Sequence, residues 1–120
     1  MASILIVEDD AHIRAFLTEL LEDEGYAATG ATNGRVALQA LAAALPDLII
    51  TDILMPEMDG ITLCCEVQAN PLTARIPIIV CSASHDQVLG DPCAPAAFLS
   101  KPFHLTTVLD TVTAVLARTS

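Results

Sequence analysis

A chain of 120 residues is the usual size of one domain and long enough to bury a real core. Hydrophobic residues make up 53% of it, yet charges, Pro or Gly interrupt every apolar stretch before it reaches the length of a bilayer crossing, which excludes a transmembrane segment. Fifteen acidic residues against five basic ones leave a formal charge of −10, which opposes direct binding to nucleic acid or to an anionic membrane surface.

Ser3 to Val7 is a continuous apolar run with β-branched members, the pattern of a strand buried on both faces of a parallel sheet. Ile13, Phe16, Leu17, Leu20 and Leu21 then recur at helical spacing, with Asp10 placed to cap the start and Gly25 to end it. Residues 26–30 form a weak second strand. After the turn Asn33-Gly34, Val36, Leu38, Leu41 and Leu45 mark a second helix that Pro46 closes. Leu48 to Asp52 reads as the third strand, Ile61 to Ala69 as the third helix, Ile76 to Ser82 as the fourth strand and Ala96 to Ser100 as a short fifth. Leu105, Val108, Leu109, Val112, Val115 and Leu116 give the clearest helical period in the chain. Between the fourth and fifth strands, Gly90, Pro92 and Pro95 leave residues 85–95 room for little more than a turn, so the helix there is expected to be shortened or irregular.

Alternating strands and helices predict a single α/β domain over residues 1–120, a parallel sheet with helices on both faces. The N-terminus has no basic region followed by a long apolar one, so a cytoplasmic location is expected. In that compartment Cys64, Cys65, Cys81 and Cys93 are expected to be small buried hydrophobes, and their spacing fits no zinc site.

In an open parallel sheet, ligands bind beyond the carboxyl ends of the strands. Those ends carry Glu8-Asp9-Asp10, Asp52, Ser82 and Lys101, the only lysine of the chain. If they converge, Glu8, Asp9 and Asp52 concentrate negative charge that calls for a cation, and oxygen ligands without His or Cys favour Mg²⁺. A carboxylate nucleophile, a hard cation, a lysine and a hydroxyl together suggest phosphoryl transfer. Taken singly, each has a plainer reading: the acidic run as a helix cap, Asp52 with Pro56 and Asp59-Gly60 as a loop, Lys101 as a surface charge. Their joint placement at four strand ends is what that reading leaves unexplained.

Ile4-Leu5-Ile6-Val7-Glu8-Asp9-Asp10, the run from Thr51-Asp52 to Met58-Asp59-Gly60, Ser82-Ala83 and Lys101-Pro102-Phe103 together resemble the signature of response-regulator receiver domains, over essentially the whole chain. The resemblance implies a flavodoxin-like three-layer α/β/α sandwich with strand order 2-1-3-4-5. It implies Asp52 as phosphoacceptor, Asp9 as a direct Mg²⁺ ligand, Glu8 as a ligand through water, and the backbone carbonyl of Leu54 completing the shell. Ser82 corresponds to the switch hydroxyl, Phe98 to the aromatic rotamer switch, and Lys101 to the partner of the phosphoryl oxygens, with a cis bond to Pro102. Leu54 and Ser84 occupy the positions that tune the lifetime of the acyl phosphate.

The implied donor is a sensor histidine kinase or a histidine phosphotransfer protein, acting on a switch that catalyses only its own phosphorylation and hydrolysis. The weakened helix before the fifth strand leaves open a phosphorylation-independent binding module. It also leads to the expectation of a monomer. An Asp-nucleophile phosphatase would carry a second Asp two residues after the nucleophile, where this chain has Leu54.

Overall fold

The computed structural model describes residues 1–53, 58–82 and 95–119. The elements are β1 (Ser3–Val7), α1 (Ala11–Asp23), β2 (Ala27–Ala31), α2 (Gly34–Ala43), β3 (Leu48–Asp52), α3 (Gly60–Ala69), β4 (Ile78–Ser82), β5 (Ala97–Ser100) and α4 (Leu105–Thr119). Among the described residues all four strand pairings are parallel and the order is β2-β1-β3-β4-β5, the expected flavodoxin-like arrangement. Most of the segment expected to hold an irregular helix, residues 83–94, lies outside the described residues.

The central strands are apolar on both faces because helices cover both. On one side Leu5, Val7, Ile49 and Val80 pack with Ala37 and Leu41 of α2 and Leu63, Cys64 and Val67 of α3. On the other, Ile4, Ile6, Ile50, Ile79 and Cys81 pack with Leu17 and Leu21 of α1 and Val108, Val112 and Val115 of α4. Alternate residues of one strand thus feed two cores, as the two-residue period of a strand requires.

Asp10 caps α1 by accepting from the N–H groups of His12 (2.8 Å) and Ile13 (3.2 Å), and these bonds hold its carboxyl below the usual range. Gly25 ends the helix at φ +93°, where a side chain would be strained. Tyr26 donates back to the Leu21 carbonyl (3.1 Å), so it belongs to the turn, and β2 runs from 27 to 31 rather than from 26 to 30. Asn33 is the cap of α2, bonding the Val36 N–H at 2.9 Å, rather than part of a free turn. β4 starts two residues later than its apolar run, after Pro77. Cys64 and Cys81 are buried and outside any disulfide, whereas the partly buried Cys65 is disulfide-bonded, against the expectation of buried thiols throughout. No helix among the described residues is long and apolar enough to cross a membrane.

Candidate functional site

Register brings the site together. Val7 pairs with Thr51, which sets Glu8 at the level of Asp52 at the carboxyl edge of the sheet. Asp52 pairs with Cys81, one residue before Ser82, and Ser82 pairs with Ser100, one residue before Lys101. The Lys101 N–H donates to the Ser82 carbonyl (3.0 Å), and the Lys101-Pro102 bond is cis as expected.

Carboxylate oxygens of Glu8, Asp9 and Asp52 all lie within 4.8 Å of one another. Glu8 and Asp52 are buried and Asp9 is exposed. The Lys101 ammonium sits 3.0 Å from Oε1 of Glu8 and 3.1 Å from Oδ2 of Asp52, bridging the two buried acids. The second oxygen of each carboxylate is held by backbone: Oε2 of Glu8 accepts from the Asp10 N–H (3.2 Å) and Oδ1 of Asp52 from the Ile53 N–H (2.9 Å). Three acids against one lysine leave an excess that a divalent cation would balance, and an all-oxygen donor set suits a hard cation such as Mg²⁺.

Burial pushes Glu8 above its ordinary pKa and the nearby Asp52 charge adds to this, although the bonds from Lys101 and the Asp10 N–H pull it down. Burial also disfavours the charged form of Lys101, but its bonds to Glu8 and Asp52 outweigh that and hold the ammonium above the usual lysine range. Beneath the site the Cys81 thiol is pushed by burial to about 12 and stays an unreactive core group.

Ser82 is buried at the end of β4, and Phe98 lies on β5, 41% exposed, beside a groove lined by Phe103, His104, Thr107 and Val108. Leu54 and Ser84, together with the Leu54 carbonyl proposed as a ligand, lie outside the described residues.

Sequence reading did not anticipate the role of Gly60. Its N–H donates to the Ile53 carbonyl (2.9 Å), and a Cβ there would run into the backbone carbonyl oxygen of Asp52. Asp59 caps α3 through the Thr62 N–H (2.7 Å), so Asp59-Gly60 seats the helix directly against the acid of the site. Backbone rather than a flexible side chain is in the way, so Gly60→Ala is expected to cost about 3 kcal/mol, read as a lower urea midpoint. An unchanged midpoint would contradict this contact.

The family model for the response regulator receiver domain matches residues 4–113. The chain is 37% identical over 123 residues to the DNA-binding dual master transcriptional regulator RpaA of Synechocystis, covering 99% of this chain and 51% of that protein. This chain therefore spans about half the length of RpaA. Among solved structures, the signal receiver domain of a signal transduction histidine kinase from Syntrophus aciditrophicus superposes with a TM-score of 0.92 at 35% identity, covering 98% of this chain and 92% of that one. Response regulator protein TrrA from Thermotoga maritima, in complex with Mg²⁺-BeF, does so with a TM-score of 0.87 at 29% identity, covering 96% and 99%.

Proposed function

Because this chain belongs to the response regulator receiver family, we propose that Asp52 is its phosphoacceptor, taking a phosphoryl group from a phosphohistidine with Mg²⁺ held by Asp9, Asp52 and, through water, Glu8. The domain is a signalling switch of the two-component kind. The observation that carries the proposal is the convergence of three carboxylates within 4.8 Å, two of them bridged by one ammonium. TrrA, whose receiver fold superposes on this one, is in complex with Mg²⁺-BeF, which supports the choice of metal.

When bound, Mg²⁺ would neutralise phosphoryl oxygens and align them for in-line transfer. A carboxylate oxygen of Asp52 attacks phosphorus, and the P–N bond to the donor imidazole breaks with its electron pair leaving on nitrogen. Asp52 thereby loses its carboxylate charge, and the Lys101 ammonium, already 3.1 Å from Oδ2, transfers its bond to a phosphoryl oxygen. The Ser82 hydroxyl donates a second bond, and Phe98, exposed beforehand, turns inward behind it. Mass spectrometry after treatment with acetyl phosphate and Mg²⁺ tests the proposal, with one added phosphoryl group expected on the peptide holding Asp52.

The donor is a sensor histidine kinase or histidine phosphotransfer protein, and the corner beside the site suits it. His12, Ile13 and Phe16 of α1 face Lys101, Pro102 and Phe103 across an apolar groove, with Phe16 left 40% exposed. A helix carrying a phosphohistidine could lie there and reach Asp52. Phe16→Ala is expected to slow transfer from a phosphorylated histidine phosphotransfer protein roughly tenfold, as loss of an aromatic anchor does. Labelling by acetyl phosphate should be unchanged, and equal slowing of both donors would remove the groove from the docking surface.

Activation is expected to leave the protein monomeric. A dimer through β5 and α4 would need charges to pair across the two-fold, but on α4 only Asp110 and Arg118 are charged, and Arg118 already donates to the Ala96 carbonyl of its own chain (3.3 Å). Light scattering with beryllofluoride and Mg²⁺ at tens of micromolar protein checks this, and a dimer lost on substitution of α4 would refute it.

A further inference from the structure

We propose that Arg14 is a positioning residue for the metal site, fixing the direction in which Asp9 presents its carboxylate; this rests on the reading of the acidic cluster as an Mg²⁺ site. Nη1 of Arg14 donates to the backbone carbonyl of Glu8 at 2.7 Å. β1 ends at Val7, so this carbonyl lies past the strand, and Arg14 supplies it with a charged donor.

That carbonyl belongs to the peptide joining Glu8 to Asp9, and the bond sets the plane of the peptide from which Asp9 departs. The other groups of Glu8 are engaged as well, its N–H with the Ala31 carbonyl (3.0 Å) and its carboxylate with Lys101 and the Asp10 N–H. Asp9 itself is exposed, so its aim depends on the backbone more than on packing. Arg14 can reach across because β2 has Gly30 beneath it: a Cβ at that position would lie 2.9 Å from Cδ of Arg14 and 3.3 Å from Cγ. The glycine is a slot for the arginine stem.

Charge and position predict opposite signs. Removing a cation near an acidic site should tighten Mg²⁺ binding, whereas loosening a ligand's support should weaken it. Arg14→Met keeps most of the stem over Gly30 and deletes the donor. Calorimetric titration of the full chain with Mg²⁺ is expected to show roughly tenfold weaker binding in this variant, with Arg14→Lys intermediate because it restores one donor. The Mg²⁺ concentration giving half-maximal labelling by acetyl phosphate should rise in step, while the rate at saturating Mg²⁺ stays near that of the wild type.

Binding by Arg14→Met as tight as the wild type, or tighter, would overturn the inference. If Arg14→Met does not fold, Gly30→Ala carries the test by displacing the stem, with a fall in affinity of about two- to threefold expected and none overturning the inference. Absence of Mg²⁺ binding by the wild type would instead overturn the reading of the site, and this inference with it.

Discussion

Asp52→Asn is expected to end labelling by acetyl phosphate completely while leaving the protein folded. The amide oxygen can still accept from the Ile53 N–H as Oδ1 does now, so the end of β3 keeps its geometry. What disappears is the proposed anionic nucleophile, and an amide does not replace it in attack on phosphorus. Lys101 loses its ion pair with Asp52 and keeps only the 3.0 Å contact with Glu8, while Glu8 loses a neighbour whose charge raises its pKa. These effects oppose one another, and the net change in metal-free stability should stay within about 1 kcal/mol. Mg²⁺ binding should weaken, because one of the three converging carboxylates becomes neutral. Mass spectrometry and thermal melts check both parts. Undiminished labelling would place the acceptor elsewhere, while loss of the fold would mean that Asp52 is first a structural residue.

The site was legible in the sequence to the extent that strand ends announce themselves. Apolar runs ending in Glu8-Asp9, Asp52 and Lys101 located the residues at the carboxyl edge, since a parallel sheet puts all its strand ends on one side. Asp10 and Gly25 were readable as the ends of α1 because a side-chain acceptor and a left-handed backbone leave local signatures. Pairwise contacts were not readable. That Lys101 touches Glu8 as well as Asp52, and that Arg14 reaches the Glu8 carbonyl over Gly30, depends on register and on the twist between β1, β2 and α1. Gly60 resembled a turn residue, and only the close approach of α3 to β3 shows why a side chain there meets Asp52. The disulfide of Cys65 was not readable either, because an expected compartment says nothing of which sulfurs the fold brings together.

Lys101→Ala is expected to destabilise the metal-free protein by about 2 kcal/mol at neutral pH, roughly 6–10 °C in Tm, and to make it respond more strongly to Mg²⁺. Glu8 and Asp52 are both buried and share this single ammonium, so its loss leaves two neighbouring acids without their counter-charge. The lysine side chain is 22% exposed, and solvent screening keeps the cost below that of a fully buried pair. The sign of the pH dependence follows from the two shifted groups. Lys101 is held above its usual value, so its contribution is fully present at neutral pH and is lost only as pH rises through its folded pKa. Glu8 is also raised, and without Lys101 it rises further, so the deficit of the variant should shrink on acidification as Glu8 takes up a proton. Mg²⁺ should close the gap too. Removing the competing cation is expected to strengthen metal binding about tenfold, adding about 1.4 kcal/mol of stabilisation at saturating metal. Phosphorylation should still occur but produce a weaker conformational response, since on the proposed reading Lys101 follows the charge from carboxylate to phosphoryl oxygen. Melting curves from pH 4 to 8 with and without Mg²⁺, and NMR with beryllofluoride, measure all three effects. Equal Mg²⁺ shifts in variant and wild type would mean that Lys101 does not compete for the acidic cluster, and an unaltered activated spectrum would remove it from the switch.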